Sequence, residues 1–214
     1  MIKQNKILIV AATEKEIAPL MEEYPFLDYL ITGIGIPLFS YQLTKKLSEK
    51  TFNIVINLGI AGSFNPSLKN GALVFVKEEI FADLGIEEDE NFIPISEMPF
   101  AKETKNYFTN SFTHFFLENL PKVKSISVCK SSGNEKTITK RKKIFNPDIE
   151  NMEGAAFFQI CQNEKIPFVE IRAISNPVTK RNKSLWDIPL AIENLNTFAI
   201  KFIEELIKKS DEKN

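Results

Sequence analysis

Lys6-Ile7-Leu8-Ile9-Val10-Ala11-Ala12-Thr13-Glu14-Lys15-Glu16 is the stretch that decides the fold. Its first half is an unbroken apolar run. A strand with one wet face alternates polar and apolar residues, so this run predicts a strand over 6–12 buried on both faces. Its second half turns polar at once, and Thr13 with Glu16 makes the T-x-x-E pattern of a helix start. A short helix is therefore expected over 14–23. A buried strand feeding directly into a helix is the opening unit of a layered α/β fold.

Working outward, strands and helices keep alternating. A strand is expected at 28–32 and a helix at 37–50, with Pro37 in the first turn, where its missing N–H costs little. Further strands are expected at 53–57 and 73–80. The acidic stretch 84–99 reads as an irregular surface loop, and the phenylalanine-rich stretch 102–119 as a helix. Strands at 123–129 and 167–174 bracket a helix at 152–163. Ile188, Ile192, Leu195, Ala199, Phe202 and Leu206 recur every three or four residues, the apolar stripe of a C-terminal helix. Residues 1–209 read as one domain without repeat or linker, and 210–214 as a flexible polar tail.

Composition narrows the chemistry. With 214 residues and 43% hydrophobic content, the chain can build one sizeable core and too little for two. A net charge of −1 offers no basic face for nucleic acid. Cys129 and Cys161 show neither C-x-x-C nor Cys/His spacing, so no disulfide framework and no metal site is expected, and a reducing cytoplasm fits. The first ten residues do not read as a signal peptide. No run approaches the roughly 18 apolar residues of a membrane span, so no membrane partner is expected. The single histidine, His114, sits among phenylalanines and reads as a helix-face residue, which sets aside Ser-His-Asp and Cys-His mechanisms.

Four segments fall where strands end, the place where open α/β sheets build sites. They are Ala11–Glu16, Asn57–Ser63, Asn151–Ala155 and Arg172–Asn176. Each has a bland reading. Thr13 and Glu16 suffice as a capping box. Gly59 and Gly62 suit a turn. Glu153 ahead of a helix is favoured by the helix dipole alone. Asn176-Pro177 is an ordinary turn opener. Gly33 and Gly35 start a dinucleotide-binding fingerprint that fails at Leu38, where the third glycine belongs.

In this order, however, the segments resemble the nucleosidase branch of the nucleoside phosphorylase/nucleosidase superfamily. The motifs are Ile56-Asn57-Leu58-Gly59-Ile60-Ala61-Gly62, Met152-Glu153-Gly154-Ala155-Ala156 and Arg172-Ala173-Ile174-Ser175-Asn176, preceded by the acid-rich strand end at Glu14–Glu16. Within that branch the futalosine hydrolases, of the alternative menaquinone pathway, are similar at further stretches. These are Phe81–Glu87, the Ser132-Gly133-Asn134 turn, and Ile174–Val178 with Arg181–Trp186. The methylthioadenosine/S-adenosylhomocysteine nucleosidases carry aspartate where this chain has Asn176. The stretch from Glu16 to Gly33 is shorter than in those nucleosidases and lacks a β-hairpin, which leaves the pocket edge near Phe26–Tyr29 open.

The resemblance implies a three-layer αβα fold around a mixed, partly barrel-like sheet, no cofactor, a small-molecule nucleoside as partner, and a homo-oligomer with a dimer favoured. It implies Glu16 as general base for water, Glu153 as acceptor for the ribose hydroxyls and stabiliser of a cationic sugar, and Met152 against the sugar face. Gly33, Ala61, Gly62, Asn134, Asn151 and Ser175 complete the implied pocket, with Arg181 and Trp186 at the 5′ end and Lys136, Lys140 and Arg141 as further cations for a 5′ carboxylate. Asn176 would select the base. Hypoxanthine leaving with a proton on N7 presents O6 as acceptor beside N7–H as donor, and an amide offers the complement. The implied reaction releases hypoxanthine and dehypoxanthine futalosine from futalosine. A methylthioadenosine-type nucleosidase, a purine nucleoside phosphorylase and a non-catalytic nucleoside-binding protein stay open, in that order.

Overall fold

The computed structural model describes residues 6–89, 91–101 and 103–211. The opening strand β1 (Ile7–Ala11) is buried at every position and leads into α1 (Glu14–Glu23), whose start is a capping box between Thr13 and Glu16. β2 (Asp28–Ile31) pairs parallel with β1, and α2 (Ile36–Glu49) follows. α1 passes to β2 through a short connection and no hairpin. β3 (Ile54–Ser63) pairs parallel with the other edge of β1. The chain continues through β4 (Leu73–Phe81), β5 (Gly85–Glu88), β6 (Asn91–Pro94), β7 (Tyr107–Thr109) and β8 (Lys122–Ser127). It ends with α3 (Glu135–Phe145), β9 (Ile149–Asn151), α4 (Gly154–Asn163), β10 (Phe168–Pro177) and α5 (Ile188–Asp211).

The sheet is mixed and closes on itself. Among the described residues β3 pairs with both β9 and β10, β9 with β8, β8 with β4, and β4 with β10, so five strands form a ring. β1 and β2 extend from it as an open wing. Side-chain alternation then makes two cores. Ile7, Ile9 and Ala11 join α1 and α5 through Ile17, Leu20, Leu195 and Phe202. Leu8 and Val10 join α2 and α4 through Phe39, Leu43, Phe157 and Phe158. Each such aliphatic or aromatic side chain contributes about 1.5–3 kcal/mol on burial. The expected three-layer αβα arrangement around a partly barrel-like sheet is the one observed.

Several local expectations need correction. The acidic stretch 84–99 is not irregular: β5 and β6 form a hairpin turning at Asp89, whose φ is 52°. Phe92 holds it down by packing edge-on against Phe145 of α3, with centroids 6.1 Å apart. No α-helix forms between 103 and 119, only a 3₁₀ turn at Phe115–Leu117 (Lys102 lies outside the described residues). The phenylalanines there serve different neighbours, which no single helix face could reach. Phe108 sits on β7 against Phe81, while Phe116 stacks on Phe202 of α5. His114 is consequently not on a helix face, and its Nδ1 accepts from the Phe116 N–H to cap a short 3₁₀ turn. α3 and β9 carry no expectation from the sequence. β3 and β10 run past their expected ends to Ser63 and Pro177. α5 takes in Ser210 and Asp211 of the expected tail, and 212–214 lie outside the described residues. No described helix is long and apolar enough to cross a membrane.

Candidate active site

The four segments converge on one cavity of about 450 Å³ at the ends of β1, β3, β9 and β10. Glu16 enters it from the first turn of α1 and is 8% exposed. One carboxylate oxygen is occupied locally: Oε2 accepts from the Thr13 N–H at 2.8 Å and the Thr13 hydroxyl at 2.9 Å. The other, Oε1, faces β3 and accepts from the Ile60 N–H at 3.3 Å. The capping box expected at Thr13 and Glu16 is formed by one oxygen, and it leaves the other turned toward β3.

Glu153 enters from the opposite side, at the N-cap position of α4. Its Oε1 accepts from the Gly35 N–H at 2.8 Å. Gly33 and Gly35 have φ of 82° and 96°, a left-handed turn that aims this N–H and that only glycine adopts without strain. Burial pushes the Glu153 carboxyl above the ordinary carboxylate range, against the lowering influence of Arg172 and the Gly35 N–H. Asn151 supports the same corner, since its Oδ1 accepts from the N–H groups of Glu153 (2.8 Å) and Gly154 (2.7 Å).

Arg172 is 1% exposed behind the cavity wall and interacts electrostatically with both glutamates. It belongs to a motif the sequence picks out, but its role is visible only in three dimensions. A Cβ on Gly59 would fall 2.0 Å from Arg172 Nη1 and 3.2 Å from Glu16 Oε1, so the guanidinium packs directly on the β3 backbone beside Glu16. Its Nε donates to Glu170 Oε1 at 2.8 Å. Burial opposes its charge, but Glu170, Glu153 and Glu16 raise its pKa and hold it cationic. A charge inside an apolar strand is tolerated only when paired, and that is the signal that marks Arg172 in the sequence.

Asn176 reaches the cavity through a bulge. The β3–β10 register shifts between Ile174 and Asn176 and brings Asn176 opposite Gly62. Such an extra residue re-aims the side chain after it. The Ser175 hydroxyl bonds Asn176 Oδ1 at 2.8 Å, and Asn176 Nδ2 donates to the Pro177 carbonyl at 3.1 Å. Met152, Ala61, Gly62, Ser175 and Asn151 also line the cavity. At its outer end Arg181 stacks over the Trp186 ring, 5.4 Å from the centroid, and both line the space with Ile188 and Ile192.

Other expected residues lie elsewhere. Asn134 is outside the cavity, where it caps α3 by accepting from the Thr137 N–H. Gly33 does not line the cavity, although Ile34 does. Arg141 is buried in an ion pair with Glu150, and Lys140 pairs with Glu87. Neither lines the cavity, nor does Lys136, so none of these three cations stands in reserve there. Lys15, which the sequence reading passes over, lines it beside Glu16. Phe26 is exposed and the Tyr29 hydroxyl donates to the carbonyls of Leu20 and Tyr24, so that stretch forms no pocket edge.

Comparison with known proteins gives a consistent picture. The family model described as the phosphorylase superfamily matches residues 29–208. The chain is 27% identical to a futalosine hydrolase of Thermus thermophilus, covering 88% of this chain and 91% of that one. It is 28% identical to a 5′-methylthioadenosine/S-adenosylhomocysteine nucleosidase of Buchnera aphidicola, covering 86% and 80%. Its fold is similar to the structure of futalosine hydrolase of Helicobacter pylori, with a TM-score of 0.79 at 17% identity over 94% of this chain and 98% of that one.

Proposed function

We infer, from the premise that this chain belongs to the phosphorylase superfamily, that it hydrolyses the N-ribosidic bond of a purine nucleoside. The observation that carries this reading is that Glu16 and Glu153 line one cavity, with the buried Arg172 cation interacting with both. Breaking a ribosidic C–N bond leaves an oxocarbenium-like sugar and a base that needs help to depart. Glu16 Oε1, free of the helix cap, accepts a proton from the water whose oxygen bonds to C1′ as the C1′–N9 bond breaks, and the departing base takes up a proton from solvent at N7. Glu153 accepts from the ribose hydroxyls, and its charge, held by the Gly35 N–H and Arg172, stabilises the sugar as it becomes cationic. Met152 packs on the sugar face. Hydrolysis rather than phosphorolysis is favoured because Glu16 lines the cavity, where its carboxylate repels a phosphate dianion.

The substrate we propose is futalosine, cleaved to hypoxanthine and dehypoxanthine futalosine in menaquinone biosynthesis. Asn176 offers Nδ2 to O6 and Oδ1 to N7–H of a leaving hypoxanthine, and the Ser175 hydroxyl bonded to Oδ1 supports that orientation. Adenine protonated at N7 presents two donors and leaves Nδ2 opposed by an N–H. The Arg181–Trp186 stack supplies aromatic surface and a cation for an aryl carboxylate at the 5′ end, where arginine suits a carboxylate better than lysine does. Incubation with futalosine, inosine and methylthioadenosine, with and without phosphate, tests the reading. Hypoxanthine release from futalosine without phosphate supports it. Preference for methylthioadenosine, or dependence on phosphate, overturns it.

A further inference from the structure

Two more carboxyls lie beneath the cavity, and the proposed hydrolysis gives them no task. Glu79 on β4 and Glu170 on β10 are both 0% exposed, and their carboxylates approach each other at the start of α4. Glu79 Oε1 accepts from Asn151 Nδ2, and Glu79 Oε2 accepts from the Ser127 hydroxyl. Glu170 Oε1 accepts from Arg172 Nε, while its Oε2 meets no N–H or O–H donor among the described residues. The first residue of α4 is shaped around the pair. A Cβ on Gly154 would fall 2.2 Å from Glu79 Oε1 and 2.7 Å from Glu170 Oε1. Two buried carboxylates in contact cannot both stay ionised cheaply, and a buried acceptor without a donor is costly. One proton between them removes both penalties.

We propose that Glu79 and Glu170 form a carboxylic acid–carboxylate dyad, sharing one proton, that positions both glutamates of the nucleosidase site; this rests on the nucleosidase reading above. The connections run in two directions. Glu79 holds Asn151, whose Oδ1 anchors the backbone of Glu153. Glu170 holds Arg172, which packs on Gly59 beside Glu16. The charged and titratable groups around the dyad are Arg172 on β10, Glu153 ahead of α4 and Cys161 within α4, with Glu16 one contact further through Arg172. The arrangement holds Arg172 with a single balancing charge from the dyad. A second one would force the two carboxylates apart and pull Asn151 with them.

Burial and then the charge of Glu170 hold the Glu79 carboxyl up at about 8, against an ordinary 4.5. Between those values the folded chain keeps a proton that the unfolded chain releases. Stability attributable to Glu79 therefore falls as pH rises from 4.5 to about 8, and levels off above.

Three measurements test the dyad. Infrared spectra of the wild-type protein near neutral pH should show a protonated-carboxyl band that disappears as pH passes about 8 and is missing in Glu79→Gln. Melting temperature should depend less on pH across that window in Glu79→Gln than in the wild type. On the nucleoside that the enzyme turns over, Glu79→Leu should lower kcat by about tenfold or more, the scale of a lost buried hydrogen-bond partner, with KM little changed. Glu79→Gln, whose amide N–H replaces the shared proton, should recover most of that loss. It should also lack the alkaline fall in kcat that the wild type shows. Absence of the band, or equal pH slopes in the two proteins, overturns the shared proton. An intact band without rescue by glutamine overturns the positioning role. An intact band with no turnover of any nucleoside overturns the nucleosidase reading and the positioning role with it, while the shared proton stands.

Discussion

One Glu16 oxygen caps α1 and, on the function proposed above, the other acts as general base, and a conservative substitution separates the two. In Glu16→Gln the amide oxygen can still cap α1 at Thr13, so melting should change little. The proton acceptor is lost, and general-base catalysis is typically worth about 10²–10⁴ in rate. Turnover should fall by that order, and wild-type-like turnover would reduce Glu16 to a helix cap. Asn176→Asp probes the base instead. It exchanges a donor for an acceptor, so activity should weaken on hypoxanthine nucleosides and rise on adenine ones, by about 1–3 kcal/mol in the ratio. A ratio of rates that stays put makes Asn176 only a bulge residue. Both residues are legible in sequence because each sits in a short motif at a strand end. Arg172 is quoted in the same motif, yet its role is hidden. Glu170 is its neighbour on β10, but Glu16 and Glu153 come from two other elements that only the folded sheet brings to it. Asn134 shows the opposite error, since a residue type suited to a pocket serves equally well as a helix cap.

Strand β3 illustrates what an element adds to its residues. The glycines in Ile56–Gly62 suggest a turn, but the strand continues through them to Ser63. They are small because other groups cross the strand there: Arg172 at Gly59, and Val178 with Asn176 at Gly62. Gly59→Ala should therefore overpack a buried charged cluster. Such insertions cost about 1–3 kcal/mol, so the melting temperature should drop by several degrees. Turnover should drop as well, because the guanidinium must leave its place beside Glu16. A variant with normal melting and normal kcat would show that Arg172 relocates freely and does not order the site. The elements the sequence reveals are those with an unbroken apolar run or a single helical stripe, namely β1, β2, β4, β8, β10, α1, α2, α4 and α5, while β3 is found but cut short. The hairpin β5–β6 is hidden because most of its polar residues are exposed, while Phe92 packs it against Phe145 and Glu87 pairs with Lys140. The stretch after 103 misleads because its phenylalanines look periodic but feed separate clusters.

The whole molecule carries an exposed apolar group beside the cavity mouth. Ile31, Ile34, Leu38 and Tyr41 are 37%, 57%, 52% and 63% exposed, and they run from the end of β2 into the first turns of α2. Scattered surface apolar residues need no explanation, and we propose that this group, close together in sequence, is a contact face. Leu38 and Tyr41 are one helical turn apart, and Ile34 belongs both to this group and to the cavity lining. Whatever covers Ile34 therefore also walls the site. A second copy of the chain is the occupant we propose, since the homo-oligomer expected from sequence would cover a self-complementary patch around a two-fold axis. Tyr41→Glu places a charge at the most exposed of the four positions without touching either buried core. Sedimentation at micromolar concentration should give a dimer for the wild type and a shift toward monomer for Tyr41→Glu, with KM for the nucleoside rising in step. A monomeric wild type with full activity would remove the second copy from the site. A Tyr41→Glu protein that stays dimeric would move the interface to another face.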